Sequence, residues 1–194
     1  VKAGHAEVRT FFLDRDGTLN AKPPDGRYIG HPAELILLPG AAEAVRELNA
    51  AGRRVVLVTN QRGVARGLMT GADVAAVHAR LAALLREHDA FLDAVYVCPH
   101  EVGECGCRKP LPGLLTAAMR DFRDIDPADS VMIGDTESDV MAGKAAGTLT
   151  VLLQGPGKPP ANTVADMVAT DLRAAVGLLL TSSKSGCVSK GGFV

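Results

Sequence analysis

Short apolar runs punctuate the chain at 10–13, 54–58, 94–97, 131–134 and 149–153, and none of them alternates with polar positions. Val, Ile and Leu dominate these runs, which predicts β-strands, and the missing alternation predicts burial on both faces. Between them, segments 40–51, 71–88, 113–122 and 138–146 carry apolar residues at helical spacing, with start and stop signals such as those of "PGAAEAVRELNAAG". Strand and helix in alternation predict crossover units, hence an α/β fold with a doubly wound parallel sheet covered on both sides. Segment 181–194, "TSSKSGCVSKGGFV", has almost no apolar periodicity and is expected to be a flexible tail after a single domain over 1–180.

Composition narrows this picture. The 194 residues are 47% hydrophobic and 22% charged, which is globular and of a size to bury a real core. A net charge of -1 argues against a polyanion binder, so no nucleic-acid partner is expected. No apolar run approaches the ~20 residues that cross a bilayer, and the first residues lack the pattern of a secretion signal. A cytoplasmic protein is expected, with no membrane partner. No amphipathic stripe is left over, so a monomer is the default.

Candidate chemistry gathers where the strands stop, because open parallel sheets bind ligands at their carboxyl ends. Strand one runs into Asp14-Arg15-Asp16-Gly17-Thr18, strand two into Thr59-Asn60-Gln61, and strand four into Gly134-Asp135-Thr136-Glu137-Ser138-Asp139. If strands one and four are neighbours, Asp14, Asp16 and Asp135 converge on one crevice. Like charges that close require a cation, and an oxygen-rich site of few protein ligands suits Mg²⁺ together with a substrate phosphate. Gly17 permits a sharp turn, and Thr18 and Thr59 offer hydroxyls beside it. Asp139 is placed either behind the site or in an early helical turn.

Strand three leads into "CPHEVGECGCRKP", which sets Cys98, His100, Cys105 and Cys107 within ten residues. Three thiols and an imidazole match a closed tetrahedral site, so a structural Zn²⁺ is expected to staple the loop and hold Arg108 and Lys109 over the crevice. Cys187 and the histidines His5, His31, His78 and His88 receive no role.

In this order, "DRDGT", "TNQ", "RKP" and "GDTESD" resemble the four motifs of the haloacid dehalogenase-like phosphatases. The resemblance implies a Rossmann-like fold in which Asp14 attacks phosphorus to form an aspartyl-phosphate and Asp16 is first general acid, then general base. It implies that the Asp14 carboxylate, the Asp16 main-chain carbonyl and Asp135 hold Mg²⁺, and that Thr59 and Lys109 grip the phosphoryl oxygens. The spacing leaves no room for a cap domain, so specificity falls to short loops: Asp25, Tyr28, Asn60, Gln61, Arg62 and Arg108 are the candidate substrate contacts.

The zinc loop is similar to a branch shared by heptose 1,7-bisphosphate and histidinol-phosphate phosphatases. "TNQRGVARG" and "CRKPLPG" resemble the heptose enzymes, with loss of the phosphate at C7 implied. The short spacer between His100 and Cys105 is closer to the histidinol type, which makes histidinol phosphate the second candidate. Arg62 and the long "KPPDGRY" loop depart from the heptose pattern. A reading of a different class is a module that binds a phosphorylated ligand in the same crevice without turnover.

Overall fold

The computed structural model describes residues 7–24, 26–155 and 162–182. Six parallel strands, β1 (Thr10–Leu13), β2 (Arg54–Asn60), β3 (Ala94–Cys98), β4 (Ser130–Gly134), β5 (Leu149–Leu153) and β6 (Met167–Ala169), form one sheet in the order β3-β2-β1-β4-β5-β6. Among the described residues five α-helices accompany them: α1 (Ala41–Ala50), α2 (Gly71–Arg86), α3 (Gly113–Asp121), α4 (Glu137–Ala146) and α5 (Leu172–Ser182). The strand order reverses between β1 and β4, and a parallel sheet opens a crevice at that point, just beyond the strand ends.

Alternation within β1 sorts the core. Phe11 and Leu13 face one side with Leu57, Ile133, Leu48, Leu81 and Val176, while Phe12 faces the other with Val56, Met132, Leu115 and Ala142. β1, β2 and β4 are therefore buried on both faces, as their uninterrupted apolar runs predict. Helix starts follow local chemistry. The Thr70 hydroxyl accepts from Asp73 N at 3.1 Å while Asp73 accepts from Thr70 N at 2.7 Å, a reciprocal cap that fixes the start of α2.

Three expectations change. β3 is an edge strand with Val95 exposed, not buried on both faces: α3 packs on the side of Ala94 and Tyr96, and the side of Val95 is left partly open. β6 and α5 lie outside the expected set. Three residues are too few for β6 to show a period, whereas α5 buries Leu172, Ala175, Val176 and Leu179 at an i, i+3, i+4, i+7 spacing that the sequence does carry. Thr181 and Ser182 end α5 rather than opening a tail, and 183–194, with Cys187, lies outside the described residues, as does His5. Among the described residues no helix is long and apolar enough to cross a membrane.

Candidate active site at the β1–β4 crevice

Register brings the strand ends together: Leu13 pairs with both Leu57 and Ile133, and Asp14 N continues the ladder by donating to Ile133 O at 3.0 Å. Asp14, Asp16, Tyr28, Thr59, Asn60, Arg108, Lys109, Asp135 and Asp139 all line one open crevice, so the expected convergence of β1 and β4 residues is present. The carboxylates close to one another are those of Asp14, Asp135 and Asp139, each offering an oxygen within 4.8 Å of the others. The Asp16 carboxylate turns instead to Arg15, Asn20 and Gln61.

Two glycines make this approach possible. A Cβ on Gly17 would lie 2.3 Å from Asp135 Oδ2, and its φ of +90° is open to glycine and strained for other residues. A Cβ on Gly134 would lie 2.3 Å from Asp139 Cγ. Asp139 caps the start of α4, accepting from Thr136 N at 3.1 Å.

Lys109 is the counter-charge. It is 3% exposed, and its Nζ lies 2.7 Å from Asp14 Oδ1, 2.6 Å from Asp139 Oδ1 and 2.9 Å from Val58 O. Burial opposes its charge, but the two carboxylates hold its pKa above the ordinary lysine value. Burial pushes Asp14 up to about 7; Lys109 opposes the shift and Asp139 adds to it.

The predicted substrate contacts divide. Tyr28 and Arg108 line the crevice, and Asp25 lies outside the described residues. Asn60 touches the crevice, but its amide is committed to the main chain of Lys109, donating to the carbonyl at 3.0 Å and accepting from the N–H at 3.1 Å. Gln61 is buried behind the crevice, where its Nε2 donates to Asp16 Oδ2 and Thr59 Oγ1. Arg62 pairs with Glu101 and is absent from the crevice lining, because residues 61–69 brace the cysteine loop, with Arg66 on the same glutamate. Lys22 was not foreseen: its Nζ lies 2.9 Å from Asp135 Oδ2, and nothing but its place in the "KPPDGRY" loop signals it.

In the cysteine loop, the Cys98, Cys105 and Cys107 sulfurs and His100 Nδ1 form one compact set, with neighbouring atoms 3.3–3.7 Å apart. The three thiols are free of disulfides. Four ligands at ordinary zinc bond lengths around a tetrahedral centre stand roughly 3.5–3.8 Å from each other, so the donor set fits that ion in kind and in spacing.

Two of the remaining histidines have partners. His31 caps a short 3-10 turn at Pro32–Glu34. His78 Nε2 lies 3.3 Å from Arg15 Nη1, and burial, then the Arg15 charge, lowers its pKa to about 4. The unfolded chain takes up that proton first, near pH 6.5. Its stabilising share is thus complete above pH 6.5 and is lost as pH falls towards 4, by up to ~3 kcal/mol. Urea midpoints measured from pH 7 to 4.5 are expected to fall less steeply for His78→Gln than for the parent; equal slopes would contradict the assignment.

Residues 21–147 match the haloacid dehalogenase-like hydrolase family. A D-glycero-beta-D-manno-heptose-1,7-bisphosphate 7-phosphatase of Salmonella typhi is 40% identical over 176 residues, covering 85% of this chain and 92% of that protein. An alpha-anomer counterpart of Mycobacterium bovis is 41% identical over 140 residues, 72% of each chain. Among solved structures, a D,D-heptose 1,7-bisphosphate phosphatase from B. bronchiseptica complexed with magnesium and phosphate superposes with a TM-score of 0.80 at 35% identity, over 90% of this chain and 99% of that one. A putative HAD-like phosphatase from Mesorhizobium loti gives 0.77 at 33% identity, over 95% and 90%.

Proposed function

Because this chain belongs to the haloacid dehalogenase-like hydrolases, we propose that it is a Mg²⁺-dependent phosphatase that removes the C7 phosphate of a D-glycero-D-manno-heptose 1,7-bisphosphate. The observation that carries this reading is the meeting of Asp14, Asp135, Asp139 and Lys109 in one open crevice that Tyr28 and Arg108 also line.

The residues present fit the metal. Asp135 Oδ1 is buried with no hydrogen-bond partner, and the space beside Gly17 is kept clear of a Cβ. Asp14, Asp135 and the main-chain carbonyl of Asp16 would hold Mg²⁺, which when bound offsets the charge of the carboxylates and of the phosphoryl oxygens.

Each step then falls to a residue of the chain. The Asp14 carboxylate attacks phosphorus, and the bond from phosphorus to the C7 oxygen breaks as Asp16 gives that oxygen a proton. Asp16, now a base, takes a proton from the water that attacks the aspartyl-phosphate, and inorganic phosphate leaves with Asp14 restored. Thr59 Oγ1 and Lys109 Nζ steady the transferring oxygens through both steps. Asp139 holds Lys109 in place, and Arg108 meets the rest of the substrate. Zn²⁺ on Cys98, His100, Cys105 and Cys107 would be structural, since four protein ligands leave no open position. A cytoplasmic monomer is part of the same reading.

The test is phosphate release with Mg²⁺ from the α and β heptose 1,7-bisphosphates and from histidinol phosphate, with the sugar product identified by phosphorus NMR. Heptose 1-phosphate formed faster from one anomer is expected. Preference for histidinol phosphate would overturn the substrate, and no release from any of the three would favour the non-catalytic module.

A further inference from the structure

We propose that Arg15 and His78 are positioning residues that fix the acid–base carboxylate of Asp16 from behind the crevice. This inference rests on the role given to Asp16 above and concerns two residues that make no contact with substrate.

Arg15 stands between the two aspartates in sequence, two residues beyond the end of β1, and its side chain turns away from the crevice onto the carboxylate of Asp16. There it is 0% exposed. A buried guanidinium is costly unless paired, and an apolar side chain of similar volume serves stability as well or better. Its one ion pair among the described residues is with its own neighbour. Nε and Nη2 donate to Asp16 Oδ1 at 3.1 and 3.0 Å, and Nη2 also reaches Oδ2 at 2.9 Å. Asn20 Nδ2 adds a bond to Oδ1 at 2.9 Å, and Gln61 Nε2 one to Oδ2 at 3.1 Å.

The planar fork thus sets the carboxylate in one plane, and both oxygens accept from the protein, Oδ1 from three donors and Oδ2 from two. Oδ2 is the less committed oxygen, and it exchanges a proton with the leaving group once the Gln61 bond opens.

Arg15 itself is aimed by His78. Arginine has donors only, so the Nη1 contact at 3.3 Å requires Nε2 of a neutral imidazole as acceptor. His78, on α2, lines an otherwise apolar pocket together with Val64, Val74, Ala75, Val97 and Pro99. A leucine would fill that space equally well, but it would leave Nη1 without a partner.

Leaving-group chemistry separates positioning from mere stability. A sugar alkoxide needs the Asp16 proton to depart, whereas 4-nitrophenolate does not. The measurement is kcat/KM for the heptose bisphosphate and for 4-nitrophenyl phosphate in the parent, Arg15→Lys, His78→Leu and His78→Gln, with Asp16→Asn as reference. Arg15→Lys keeps the charge and loses the fork, and is expected to lower the sugar value roughly 10- to 100-fold and the aryl value no more than about threefold. His78→Leu is expected to lower the sugar value about 3- to 10-fold, and His78→Gln, which returns an acceptor, to recover most of it.

Parallel losses on both substrates would overturn the proposal, as would a sugar value unchanged in His78→Leu. If Arg15→Lys does not fold, the two His78 variants decide alone. Asp16→Asn without the split would refute the acid–base role of Asp16, and a parent protein inert on both substrates would refute the phosphatase reading, so each failure is recognisable.

Discussion

Asp14→Asn is expected to abolish phosphate release, by on the order of 10⁴-fold or more, and to yield a protein more stable than its parent in magnesium-free buffer at pH 8. Both effects share one cause. The carboxylate is buried beside Asp139, and its pKa of about 7 lies well above the ordinary 3.8. For a carboxylate raised in this way, the unfolded chain ionises first, so the folded state loses stability as pH climbs from about 4 to 7 and remains penalised above that range. Asparagine removes the penalty but also removes a partner of Lys109, for a net gain of roughly 1–3 kcal/mol. Below pH 4 the aspartate is protonated in both states, and the gain should vanish. Urea titrations at pH 8 and pH 3.5 measure it; a variant less stable at pH 8 would show that the pairing with Lys109 outweighs burial. Added Mg²⁺ should stabilise the parent far more than the variant.

Cys107→Ser is expected to empty the zinc site, lower the thermal midpoint by several degrees and reduce kcat/KM for the bisphosphate roughly 10- to 100-fold. Most of that loss should sit in KM. Arg108 follows the cluster directly in sequence, while the Lys109 main chain is independently held by Asn60. A small aryl phosphate, which has no second phosphate for Arg108 to meet, should lose much less. Metal content by mass spectrometry and midpoints by scanning calorimetry check the structural part. A full complement of zinc in the variant, or a thermal midpoint unmoved, would remove the staple from the account.

The central strands were legible because burial on both faces erases alternation, and 10–13 and 149–153 coincide with β1 and β5. Edges were not, because β3 is partly exposed and β6 is three residues long. The residues at the ends of β1, β2 and β4 were legible for a chemical reason: several carboxylates brought to neighbouring strand ends repel one another unless a cation or counter-charge sits among them. Orientation was not. Adjacency in sequence grouped Asp16 with Asp14 and Gln61 with Asn60, yet the Arg15, Asn20 and Gln61 donors draw the Asp16 carboxylate away from Asp14, Gln61 sinks behind the crevice and Arg62 pairs with Glu101. Lys22 and His78 reach their partners across 113 and 63 residues, a separation that local pattern cannot register.

The double hydrogen bond from Asn60 to the Lys109 backbone carries a consequence for exchange between relatives. It anchors the Lys109 backbone to β2, and no residue from Pro99 to Gly106 lines the crevice. Such a stretch is a replaceable cassette. Loops of different length and charge can be grafted there, provided Cys98, His100, Cys105 and Cys107 are retained, while the backbone that carries Lys109 stays fixed to β2.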